Sequence, residues 1–101
     1  MGIAILLEDE HGDVLETIEW PTWLDRLLPS YDDESFQCLR FIDPYGDTIF
    51  NVVQMPTLLR EVERLNQIAD SDAQHVQLGE IRRLAERCRD GVHTYLRFYA
   101  D

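Results

Sequence analysis

Alternating apolar positions open the chain. In segment 2–8, Ile3, Ile5 and Leu7 share one phase, and in 13–20 Val14, Glu16 and Ile18 alternate against Leu15, Thr17 and Glu19. Successive side chains of a strand point to opposite faces, so a period of two predicts half-buried strands. Asp9-Glu10-His11-Gly12 separates the two segments, which predicts a β-hairpin across a glycine-containing turn. Pro21 suits the first turn of a short helix. Trp20, Trp23, Leu24, Leu27 and Leu28 fall on one helical stripe, and Pro29 stops it.

A polar loop from Ser30 to Ser35 leads to a second expected pair of strands. Phe36–Ile42 and Thr48–Val53 flank Asp43-Pro44-Tyr45-Gly46-Asp47. Proline fixes φ and glycine can supply a positive φ, so these residues predict a turn. Both flanks are nearly continuously apolar, the pattern of central strands covered on both faces.

From Pro56 the period becomes helical. Leu58, Leu59, Val62, Leu65 and Ala69 form a stripe, with Arg60, Glu61, Glu63 and Arg64 assigned to the other side. Ser71 and Gln74 have capping-box spacing and restart a helix whose buried stripe is Leu78, Ile81, Leu84, Ala85 and Cys88. Arg87 and Arg89 complement its C-terminal dipole, and Gly91 closes it as a C′ residue. In His93–Tyr99, Leu96 and Phe98 alternate against Tyr95, Arg97 and Tyr99, giving a half-buried strand. The order β-β-(short α)-β-β-α-α-β predicts a single α+β domain over residues 1–101. Its helices pack on one face of a largely antiparallel sheet of about five strands.

Composition agrees with one domain and adds a constraint on partners. The chain has 101 residues with 45% hydrophobic content, a globular rather than a disordered composition. Its 20 acids face nine cations, for a net charge of −11. Every cation is Arg, with no Lys. The acid is uneven: residues 1–50 carry twelve acids and two Arg (−10), residues 51–101 eight acids and seven Arg (−1). Nucleic-acid backbones and anionic membranes are repelled by such a surface, so neither is expected as a direct partner.

The N-terminal apolar run meets Glu8 too early for a signal peptide and has no basic leader, and no stretch is long enough for a membrane span. Cys38 and Cys88 lack Cys-x-x-Cys spacing and are expected to be reduced, buried small hydrophobes. A cytoplasmic location follows from these features.

Recognisable chemistry is sparse. His11, His75 and His93 have no metal-ligand spacing, and the acidic turn Glu8–Asp13 does not match a calcium loop. No nucleophile elbow or glycine-rich phosphate loop occurs. Cys38, the one conceivable thiol nucleophile, sits within an apolar run, where thiols are inert. No cofactor, metal site or catalytic residue is assigned. Tyr95, Arg97 and Tyr99 resemble a base-stacking trio, yet the RNA-binding consensus is absent, so the tyrosines are expected to cover a sheet edge or touch a helix.

Aromatic residues do meet acids in one half. Trp23 and Asp25, then Tyr31, Asp32, Asp33 and Glu34, then Asp43, Tyr45 and Asp47 suit an interface for a basic protein. Trp and Tyr supply contact area at low entropic cost, and carboxylates steer Arg and Lys. The expected function is a small acidic, non-catalytic binding module of the bacterial antidote or immunity type, capturing a basic partner such as a nuclease toxin. One alternative is a homo-oligomeric regulatory or structural protein, in which Arg82, Arg83, Arg87 and Arg89 of one copy meet the acidic half of another as a homodimer. A small metal- or thiol-dependent enzyme ranks third.

Overall fold

A computed structural model describes residues 2–100; the two end residues of the expected domain lie outside it. Four strands form an antiparallel sheet in the order β2-β1-β4-β3: β1 Ile3–Glu8, β2 Val14–Trp20, β3 Asp47–Asn51 and β4 Tyr95–Tyr99. Two helices, α1 Met55–Ile68 and α2 Asp72–Asp90, cover one face. The α+β class and one-sided layering are as predicted, with one strand fewer.

The first hairpin forms for the expected reason. Asp9 Oδ1 accepts from the backbone N–H groups of His11 at 2.8 Å and Asp13 at 3.0 Å, and Gly12 takes φ +82. This carboxylate-stapled turn sets the register Ile3↔Trp20 and Ile5↔Ile18. The odd positions Ile3, Ile5 and Leu7 therefore enter the core beside Trp20, Leu96, Phe98 and Phe50. Phe50 and Phe98 meet edge to face, with centroids 5.7 Å apart.

The short helix after Pro21 is a 3₁₀ helix, Thr22–Leu27. Three residues per turn align Leu24 with Leu27, and both are buried; Trp23 is rotated out of that line and stays 49% exposed. Of the predicted helical stripe, Trp20 is buried at the end of β2 and Trp23 falls off the buried line.

The predicted strand Phe36–Ile42 does not form. The segment is irregular with one 3₁₀ turn, Leu39–Phe41, and its apolar residues Phe36, Cys38, Leu39 and Ile42 plug the core without sheet pairing. Their backbone is satisfied from elsewhere. Glu61, 4% exposed, accepts from the N–H groups of Gln37 at 2.5 Å, Cys38 at 3.1 Å and Leu39 at 2.9 Å. A buried carboxylate replaces the neighbouring strand. Consequently Asp43–Gly46 joins a loop to a strand, and β3 is an edge strand with Ile49 exposed instead of a central one. Gly46 has no positive φ; a Cβ there would lie 2.8 Å from Asp43 Oδ2, so a larger residue would push the Asp43 carboxylate from its place.

The helices follow their signals with three adjustments, the first being that Glu61, expected opposite the apolar stripe of α1, lies on its buried face. Ser71 caps α2 by accepting from Gln74 N–H, but the Gln74 side chain accepts from Asp70 N–H, one residue before the cap. Gly91 ends α2 in extended backbone, φ −85, where Thr94 Oγ1 donates to the Cys88 carbonyl at 2.7 Å.

Among the described residues, neither α1 nor α2 packs on the other sheet face. Its cross-strand rows, from β2 to β3, are Glu19-Ala4-Tyr99-Asp47, Thr17-Leu6-Arg97-Ile49 and Val14-Glu8-Tyr95-Asn51. Tyr95, Arg97 and Tyr99 stand on interior strand β4, opposite buried Leu96 and Phe98.

Candidate functional site

Trp23 and Asp25 lie on the 3₁₀ helix, exposed. Tyr31–Glu34 occupy the following loop, with Tyr31 79% exposed; Asp43 and Tyr45 sit in the turn before β3, with Tyr45 84% exposed. Internal hydrogen bonds make the last two groups one structure. Arg40 Nη1 donates to the Tyr31 carbonyl at 3.0 Å, and Arg64 donates to the Ser35 carbonyl and hydroxyl while stacking over Phe36 at 3.9 Å. At the other end Thr48 Oγ1 accepts from Asp43 N–H at 2.9 Å and donates to the Phe41 carbonyl. Ala100 N–H fastens the Gly46 carbonyl at 3.0 Å. No described hydrogen bond or ion pair joins Trp23 or Asp25 to this unit.

The carboxylates differ in what they already do. Asp33 accepts the Ser35 hydroxyl at 2.6 Å and its N–H at 3.1 Å, and these bonds hold its carboxyl below the usual range. Asp32 accepts from Ser30 Oγ, and Asp43 from Tyr45 N–H. Asp47 is committed further: it pairs with Arg97 at 3.0 Å. Among the described residues Asp25, Asp32, Asp33, Glu34 and Asp43 belong to no ion pair.

The opposite flank neutralises its charge internally. Glu16 on β2 accepts from Arg87 at 2.8 Å and from Arg83, which holds Glu80 as well. Arg82 pairs with Glu86 at 3.6 Å and Arg89 with Asp90 at 2.9 Å. All four arginines assigned to an intermolecular contact thus have partners within the chain. Sequence reasoning missed Glu16 in this role, because its partners are more than sixty positions away.

Cys38 and Cys88 are free and buried. Burial first, then the charge of Glu61, pushes the Cys38 thiol up to about 11, and burial raises Cys88. Little thiolate exists at neutral pH at such a value. Among the described residues no group of three or more His, Cys, Asp or Glu could hold a metal ion, and no helix is long and apolar enough to cross a membrane. An open cleft of about 260 Å³ between α1 and α2, where His75 and Asn66 meet at 2.7 Å, gathers none of the predicted site residues.

No protein-family model, curated protein or solved structure matches this chain.

Proposed function

We propose that this chain is a non-catalytic binding module that captures a basic protein through its acidic N-terminal half. An antidote to a basic toxin such as a nuclease is the biological form we favour. One observation carries the reading: among the described residues Asp25, Asp32, Asp33, Glu34 and Asp43 belong to no ion pair, and Tyr31 beside Asp32 and Tyr45 beside Asp43 are exposed. Carboxylates outside ion pairs, beside exposed aromatic rings, steer and anchor Arg- or Lys-bearing surfaces. The same field opposes phosphate backbones and anionic bilayers, so nucleic acid and membrane are not its partners. Two buried free cysteines suit a reducing compartment, and we place the protein in the cytoplasm.

Self-association is less well supported, because Arg82, Arg83, Arg87 and Arg89 are already paired internally. A thiol enzyme is disfavoured by the raised Cys38.

Low-salt affinity capture from the native lysate, followed by elution at high salt, tests the reading. A basic protein should elute, and reversing Asp32 and Glu34 to Arg should abolish its retention. Retention unchanged by that reversal removes the loop from the contact.

A further inference from the structure

We propose that the uncovered face of the sheet docks a basic, amphipathic polypeptide segment, a proposal that rests on the basic-partner reading above. The face combines three properties that a solvated sheet surface does not need. It carries apolar side chains at its middle, with Leu6 and Ile49 flanking Arg97 across three strands and Ile49 55% exposed. It carries two tyrosines on one interior strand, Tyr95 and Tyr99, spaced two residues apart on the same side. And its charge is negative: Glu8, Glu19 and Asp47 against Arg97 alone.

Arg97 does not change that sign for a visitor. Its guanidinium is held between Glu8 and Asp47, at 3.0 Å from each, so its positive charge is spent within the face. Glu8 is buried and shares Arg97 with Asp47, so this trio keeps one net negative charge, and Glu19 on the far edge strand adds a second, with Ala4 and Tyr99 between Glu19 and Asp47. An extended segment crossing the strands could rest aliphatic stems on Leu6 and Ile49 and place cations toward Glu19 and toward the net negative Glu8–Arg97–Asp47 trio. Tyrosine faces add favourable cation contact.

Charge selects this occupant over two others. A second copy stacked face to face would set one negative surface on an identical one, between chains that each carry −11. A nucleic acid would find tyrosines for its bases but acids where its phosphates lie. Both remain outcomes of the test.

The test is NMR of the isotopically labelled chain at low salt, titrated with a short synthetic peptide of alternating Arg and Leu. An Arg-Ser peptide of equal length and charge serves as the control. The proposal predicts backbone shifts centred on Thr17, Leu6, Arg97 and Ile49, and affinity for the Arg-Leu peptide about fivefold or more above the control. Ile49→Lys, at an exposed edge-strand position, should weaken Arg-Leu binding about tenfold. Thermal unfolding of that variant checks that the fold is kept, and Thr17→Lys on the far edge strand gives an independent second variant expected to weaken binding.

Shifts confined to Tyr31–Glu34 and Asp43–Tyr45 overturn the sheet-face proposal and leave the basic-partner reading intact. If neither peptide binds at low salt, both fall. A uridine-rich RNA oligonucleotide that shifts the face, or a doubled mass with the same residues shifted in the absence of peptide, overturns the proposal in favour of that occupant.

Discussion

Carboxylates on the two flanks of this molecule are used differently. Along β2 and α2, Glu16 sits between Arg83 and Arg87, and the remaining arginines of α2 pair with acids of their own helix. In the loops between Ser30 and Gly46, carboxylates serve backbone N–H groups, a neighbouring hydroxyl, or nothing. The first flank locks sheet to helix and contributes little net field. The second leaves most of its carboxylates outside ion pairs, although Arg64 and Arg40 act on Asp33. A charge of −11 is therefore not a uniform coat; geometry decides which acids remain available.

The largest expected effect separates scaffold from surface. Trp20→Ala empties a fully buried site and should cost about 3–5 kcal/mol in urea unfolding. Trp23→Ala, at a half-exposed position, should cost less than about 1 kcal/mol. Equal losses would show that both rings belong to the scaffold and would remove Trp23 from the candidate surface.

Next comes the buried acid under the loop. Glu61→Ala strands the N–H groups of Gln37, Cys38 and Leu39 and should destabilise by about 3 kcal/mol. Hydrogen exchange should accelerate at those three amides before it does so in β1 or β4. Uniform acceleration would mean that Glu61 supports the whole fold and not the loop in particular.

A smaller effect follows pH on the paired flank. Hydrogen bonds from Arg83, then Arg87, hold the Glu16 carboxyl down at about 2 from an ordinary 4.5. A carboxyl lowered by folding stabilises above its unfolded pKa, so the contribution is complete above about pH 4.5 and is lost as pH falls toward 2. Wild type and Glu16→Gln should differ in stability at neutral pH and converge toward pH 2. Because the pair is solvated, the difference should shrink with salt. A gap that persists at pH 2 contradicts the linkage.

The smallest stability effect belongs to the open acids. Reversing Asp32 and Glu34 to Arg together should move unfolding stability by less than about 0.5 kcal/mol, since neither holds an ion pair. A larger loss would place them in the scaffold.

Much of this layout is legible in the sequence wherever one local signal decides. The Asp9–Gly12 turn, the helical stripes and the Ser71 cap depend on neighbours a few residues away, and all three form. Phe36–Ile42 is different. Its apolar run signals burial, and burial alone does not distinguish a central strand from a plug satisfied by a distant carboxylate. Glu61 itself could have been found: Leu58, Glu61, Val62 and Leu65 have the spacing of one helix face, which puts the acid inside the stripe instead of opposite it. The sheet-face rows depend on strand order, which pairs β1 with β4 across some ninety residues, and no local pattern carries that information. The candidate acids were legible as a group; which of them stay unpaired was not, because Arg83, Arg87 and Arg97 reach their partners only in the folded chain.

Association kinetics with the captured basic partner test the central claim most directly. If the unpaired acids steer capture, the association rate should fall about tenfold or more between roughly 10 mM and 200 mM salt, with a much smaller change in dissociation. Equal association rates at the two ionic strengths would contradict it.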